Sequence, residues 1–231
     1  LNAIVAEAFC EAADRLEKAE DFETAVHDLI KEYMTEHQRI IFNGNGYSDE
    51  WVVEAEKRGL PNIKSMIEAA STLTSEKAVA LFEKFGIYTK AELESREEII
   101  YETYAKTINI EALTMIDMAG KQIIPAVVKY TKTLADTANA IKAAGGDASV
   151  QTELLADVST KLAAMQKELN KLVADEKEAS AMEDVKAQAF FYKDTIKATM
   201  DELRKPADEL EMIVDKDVWP IPTYGELMFE V

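Results

Sequence analysis

Cysteine, glycine, proline and histidine are all scarce in this chain of 231 residues, which has 1 Cys, 8 Gly, 5 Pro and 2 His. A single cysteine cannot form an internal disulfide. So few thiols and imidazoles also exclude a structural zinc site, which needs several such ligands at short spacing. Few glycines and prolines leave few turns, which favours long helices over many short strands. Because no segment shows convincing β alternation, the sequence predicts an all-α fold.

Long apolar runs and an excess of positive charge are lacking too. No stretch of about eighteen apolar residues is present, so no membrane-spanning segment is predicted. The net charge of −18 repels phosphate backbones and anionic membrane surfaces, so we expect neither nucleic acid nor a membrane as partner. The balance of 48% hydrophobic and 30% charged residues is typical of globular domains. We interpret the charge as the solvated surface of a cytoplasmic protein.

The first part of the chain shows short helical segments. Residues 1–18 carry an amphipathic stripe of Ile4, Val5, Ala8, Ala12 and Leu16. We expect Asp21 and Ser48 to cap the next two helices, and two more short helices over residues 62–70 and 75–85. Because Leu1 already lies inside an apolar helical pattern without a cap, we expect the chain to be a piece of a longer protein.

Long helices follow from Thr89, where Thr89-x-x-Glu92 forms a capping box. The first runs to Gly145-Gly146, the second starts after Asp147, and the third starts near Ala181 behind a second predicted box, Ser180-x-x-Glu183. Pro125 and Pro206 should bend these helices without ending them. Short connections predict an antiparallel bundle. The third helix should present an apolar stripe: Val185, Ala189, Tyr192, Ile196, Met200, Leu203, Ala207, Leu210 and Val214. The fold is therefore predicted as irregular short helices (1–85) followed by a long antiparallel helical bundle (86–231).

No catalytic constellation is visible. A di-iron bundle needs Glu-x-x-His pairs, and neither His27 nor His37 has a glutamate three residues before it. Cys10 lies on an apolar helix face and is interpreted as a buried, inert thiol. The acidic cluster Glu94, Glu97 and Glu98 is interpreted as a solvated face. We predict no catalytic, cofactor-binding or metal-binding residue in this chain.

The loop Asn43-Gly44-Asn45-Gly46 needs separate consideration, because its amides could hold a phosphate. The loop has no P-loop lysine and follows no strand. A plain turn with left-handed residues is the favoured interpretation. His37 and Arg39 are interpreted as cations at the C-terminus of the preceding helix.

Long, unusual strings carry a family resemblance. The chain resembles the type III glutamine synthetases at RIIFNGNGYSDEWVVEAEKRGLPN (residues 39–62), TINIEALTMIDMAGKQIIPAV (107–127) and LRKPADELEMIVDKDVWPIPTYGELMFEV (203–231). The opening LNAIVAEAF is similar to a helix of the same family. The resemblance implies that residues 1–85 trail from a catalytic domain, that residues 86–231 form the C-terminal helical region, and that Val231 is the natural end.

The resemblance also implies an activity for a parent enzyme. Members of this family join glutamate and ammonia with ATP and Mg²⁺ or Mn²⁺, in ring-shaped homo-oligomers. Their metal-binding glutamates, nucleotide contacts and substrate-binding arginine precede the region corresponding to Leu1, so none is carried onto this sequence. We therefore expect a non-catalytic part that serves structure and assembly with the rest of the parent chain and other subunits. Two alternatives stay open: an independent acidic helical scaffold, and an enzyme whose site is not evident.

Overall fold

The computed structural model describes residues 1–229. Helices make up 78% of the chain, and no strand occurs within the described range, so the all-α prediction is confirmed. No helix in this range is both long and apolar enough to cross a bilayer. The predicted natural end at Val231 lies outside the described residues.

The helices are numbered in chain order. They are α1 (Asn2–Leu16), α2 (Phe22–Glu36), α3 (Asp49–Lys57), α4 (Met66–Ala70), α5 (Glu76–Lys84), α6 (Lys90–Met118), α7 (Ile124–Ala143), α8 (Ser149–Ser180), α9 (Val185–Phe191), α10 (Lys197–Glu211) and α11 (Tyr224–Phe229). Short 3₁₀ turns lie at Gln38–Ile40 and Ser71–Thr74, and π-helical turns lie at Ala119–Ile123 and Tyr192–Ile196.

Two compact units divide the chain between Ile100 and Tyr101. The first unit holds α1 to α5 and the beginning of α6, and the second holds the long helices. The domain boundary predicted between residues 85 and 86 stays a prediction.

Side-chain caps mark the helix starts of the first unit after α1. Asp21 accepts a hydrogen bond from the Thr24 amide, and Ser48 accepts one from the Trp51 amide, as predicted. In the capping box before α6, the Thr89 amide donates to Glu92 Oε2 at 2.8 Å, and the Glu92 amide donates to Thr89 Oγ1 at 3.4 Å. These bonds satisfy amides that have no partner inside the helix.

Pro125 follows directly on a π-helical turn. α6 passes through Ala119–Ile123 into α7 without a loop, and Pro125 is the second residue of α7. Proline lacks an amide hydrogen and clashes with the carbonyl four residues earlier, which here is Lys121 inside the π turn. The wider turn therefore accommodates the proline. Pro206 is buried within α10. The prediction that neither proline ends a helix is confirmed.

The second unit is organised around α8. Helices α7 and α10 both pack on α8, and short connections at residues 144–148 and 181–184 make neighbouring helices antiparallel. One hydrophobic core joins buried residues of all three: Val127, Leu134, Val158, Met165, Leu172, Ile196, Leu203 and Leu210. The third long helix thus packs against the second, within a core that both share with α7.

One detail of the third helix was predicted wrongly. Ser180 is the last residue of α8, and Asp184, not Ser180, caps the next helix by accepting from the Ala187 amide at 2.7 Å. The predicted stripe faces the core, with Met200 and Ala207 half-buried and packed against it, and Thr199 and Pro206 are buried as well. The π turn at Tyr192–Ile196 adds a residue to one turn. The core positions after it follow as Ile196, Thr199, Leu203, Pro206 and Leu210.

Candidate interaction surfaces

The residues considered for chemistry are placed as follows. Cys10, His27 and His37 are all exposed, so the prediction of a buried thiol is wrong. Cys10 is exposed because α1 turns a different face inward from the predicted one. Within residues 1–229, no group of three or more His, Cys, Asp or Glu side chains is arranged to hold a metal ion.

The apolar stripe of α1 faces outward over its N-terminal half. Ile4 and Val5 of the stripe are 61% and 45% exposed, and the neighbouring Phe9 is 71% exposed. The buried residue of this helix is Ala3, and Glu7 on the same side accepts a hydrogen bond from Lys84 of α5 at 2.8 Å. The helix therefore packs through its small and polar side. Its apolar side has no cover within the described part of the chain.

Helix α2 also exposes apolar side chains to solvent. Leu29 is buried, while Phe22, Ile30 and Met34 are 61%, 58% and 55% exposed. Arg15 of α1 donates to both carboxylate oxygens of Glu32 at 2.8 and 2.6 Å, and this pair lowers the pKa of Glu32. The two helices are thus fixed to each other, and apolar side chains of both stay open to solvent. Apolar surface of this kind marks interaction sites in soluble proteins.

The loop after α2 is clamped by Arg58. The Arg58 Nε donates to Glu54 Oε1 at 2.6 Å, and one terminal nitrogen donates to the Ile41 carbonyl at 2.8 Å. Phe42 stacks on Trp51 with ring centroids 4.3 Å apart. A Cβ on Gly44 would lie 2.6 Å from the Phe42 ring, so this position requires glycine while the ring keeps its place. The left-handed residues predicted for this loop are absent: positive φ occurs among residues 1–229 at Gly59, Gly86 and Gly145.

A methionine-rich cavity of about 440 Å³ lies in the second unit. It is lined by Met115, Met118, Met165 and Met200, and by Trp219. The indole N–H of Trp219 is shielded from solvent and has no hydrogen-bond partner in the described range. The segment after α10 reaches the core at this cavity, since Val218, Trp219 and Ile221 pack against it. The apolar segment after α10 therefore contacts its own bundle.

A polar cluster crosses the interior between α8 and α10. Thr199 is fully buried; its hydroxyl donates to Asp175 Oδ2 at 2.7 Å and accepts from Lys171 Nζ at 3.0 Å. Tyr192 is also buried, and burial raises the pKa of its hydroxyl. These contacts join the two helices at defined positions and fix their register. They satisfy polar groups within the bundle and form no open site.

Comparison with known proteins identifies the family. The family model described as "Glutamine synthetase C-terminal domain" matches residues 25–142, which is just over half of the chain. The chain belongs to the glutamine synthetase C-terminal domain family. Its resemblance to the type III glutamine synthetases is thereby confirmed, because relatives that align along nearly all of it include one of that type.

Three curated relatives align with most of this chain. A glutamine synthetase of Butyrivibrio fibrisolvens is 39% identical over 92% of this chain, and the type-3 glutamine synthetase of Dictyostelium discoideum is 34% identical over 99%. A glutamine synthetase of Bacteroides fragilis (strain YCH46) is 30% identical over 89%. The aligned region makes up 31%, 32% and 29% of these relatives. This glutamine synthetase C-terminal domain thus spans about a third of the length of the proteins it matches.

Proposed function

We propose that the chain is the C-terminal, non-catalytic helical part of a type III glutamine synthetase that ligates ammonia to glutamate with ATP. In this proposal the parent enzyme binds ATP and Mg²⁺ or Mn²⁺ outside this chain, and it works in the cytoplasm as a ring-shaped homo-oligomer. The family match and the three ligase relatives support the parent activity.

One observation carries the structural part of the proposal. Ile4 and Val5 of the predicted α1 stripe are exposed, and so is the neighbouring Phe9. Three such side chains cost free energy when left in water, about 1.5–3 kcal/mol for each relative to full burial. A partner that covers this face recovers that free energy. In this proposal, a neighbouring subunit of the parent ligase covers the face.

The alternative of an independent acidic scaffold makes a different prediction. A free-standing module keeps its own apolar faces inside, whereas α1 and α2 leave several apolar side chains, such as Ile4, Phe22 and Ile30, exposed. The exposed faces therefore favour a part of a larger assembly.

The non-catalytic part of the proposal is tested by an activity measurement. Formation of γ-glutamyl hydroxamate with ATP and magnesium is measured for the 231-residue chain and for the full-length ligase at equal molar concentration. We expect the full-length enzyme to be active and the chain to give the buffer rate. Activity of the chain that survives repurification would contradict the proposal.

A further inference from the structure

Three cationic side chains meet at one pocket of the first unit. Lys31 of α2, Arg39 of the following 3₁₀ turn and Arg58 beyond α3 line an open cavity of about 830 Å³, with the amides of Gln38 and Asn43 beside them. No carboxylate lines it. The chain has 44 acidic and 26 basic residues, so composition alone would place acidic side chains in most surface pockets. A carboxylate-free pocket with three cations is therefore a distinct local feature.

Contacts with neighbouring residues hold Arg58 in place. Arg58 is bound to Glu54 and to the Ile41 carbonyl, and its guanidinium lies 5.6 Å from the Trp51 ring centroid. Glu54 offsets the charge of Arg58. Lys31 and Arg39 have no ion-pair partner among residues 1–229. About two positive charges are therefore left for a ligand, and the clamp on Arg58 lowers the cost of ordering that side chain on binding.

The charge and the donor types indicate the class of ligand. A guanidinium presents paired N–H groups that match the oxygens of a phosphoryl group, and lysine adds a point charge. A phosphate monoester carries about −1.5 to −2 at neutral pH, which matches two uncompensated cations. The amide groups of Gln38 and Asn43 provide further donors. We propose that this pocket binds the phosphoryl group of a small phosphate-bearing anion through Lys31, Arg39 and Arg58.

The two tryptophans give a site-specific test, because Trp51 lies behind the pocket and Trp219 lies in the other unit. The ¹⁵N-labelled chain is titrated with inorganic phosphate at constant ionic strength, and the two indole N–H signals are followed by NMR. We expect a saturable shift of the Trp51 signal and none of the Trp219 signal. A linear drift of both signals would indicate ionic screening alone and would overturn the proposal.

Variants that each remove one positive charge distinguish binding at this pocket from an effect of the overall charge. Arg39→Gln and Lys31→Gln should each weaken phosphate binding about two- to fivefold, the range for one exposed ion pair. Lys129→Gln makes the same charge change on an exposed residue of α7 and should leave the affinity unchanged. Equal weakening by all three variants would contradict the proposal.

A comparison of three ligands identifies the source of the phosphoryl group. Glycerol phosphate and inorganic phosphate are compared with citrate under the same conditions. Tighter binding of the ester indicates an organic phosphate, and equal binding indicates that the phosphoryl group alone is recognised; both agree with the proposal. Tighter binding of citrate than of either phosphate would assign the pocket to carboxylates and would overturn it.

Discussion

At the scale of single residues, the core of the second unit depends on a few fully buried side chains. Ile196 and Leu203 are 0% and 1% exposed and belong to the core around α8. The sequence predicted both from their three- and four-residue spacing, because burial of one helix face imposes that period. Their neighbours were less predictable, since the π turn at Tyr192–Ile196 leaves no clear signal in the pattern of apolar residues.

Truncating these side chains should destabilise the second unit. Ile196→Ala and Leu203→Ala each remove buried methyl groups and leave a cavity, at a cost of about 2–5 kcal/mol. Urea unfolding followed by circular dichroism measures the difference. Glu202→Ala on the exposed side of α10 should change stability by less than about 0.5 kcal/mol. Equal effects of the core and surface changes would show that Ile196 does not lie in the core.

The capping box before α6 predicts a pH dependence. Hydrogen bonds from the Thr89 amide and hydroxyl lower the pKa of Glu92 below its ordinary value of 4.5. A lowered folded-state pKa contributes stability above the unfolded-state pKa, and this contribution is lost as pH falls through the folded-state value. Glu92→Gln keeps an acceptor but removes the titration. Thermal melts should show that the stability advantage of the wild type is smaller near pH 3 than at neutral pH; a constant difference would contradict this.

At the scale of helices, the sequence predicted where helices begin more accurately than it predicted their interiors. Asp21, Ser48 and Thr89 cap their helices as expected, because the capping signal is local and needs no tertiary information. The cap at Asp184 was missed because Ser180 offered the same local pattern four residues earlier. The α8 helix continues through Ser180, and its length is decided by packing on the neighbouring helices, which the local signal does not contain.

Replacing a glycine by alanine should have opposite effects inside a helix and at a helix end. Gly120 lies in the π turn, where an added Cβ would meet Leu169 at an ordinary contact distance of 3.6 Å. Gly59 follows the end of α3 and has a positive φ of +69°. Gly120→Ala should stabilise the chain by about 0.5–1 kcal/mol through the entropy of the unfolded state. Gly59→Ala should destabilise it by about 1–2 kcal/mol because of its left-handed conformation. Urea unfolding measures both, and a destabilising Gly120→Ala would show that α6 and α8 approach more closely there.

At the scale of the whole molecule, the sequence predicted the fold class and the family, and it misplaced one surface. The stripe on α1 was correct as a pattern. Its exposure was not predictable, because periodicity shows that a face is apolar and not which partner covers it. The cationic pocket was also missed, since Lys31, Arg39 and Arg58 are separated along the chain and meet only in the fold.

The central proposal, that this chain serves the assembly of a ligase through the apolar face of α1, is tested most directly by Phe9→Asp in the full-length enzyme. Phe9 is 71% exposed here, so the change should not unfold the helix. Thr133→Asp adds the same charge at an exposed position of α7, in the second unit. The two variants and the wild type are compared by sedimentation velocity at several protein concentrations. We predict that Phe9→Asp shifts the enzyme to smaller species, more so on dilution, while Thr133→Asp keeps the wild-type mass. An unchanged mass distribution for Phe9→Asp at every concentration would contradict the account.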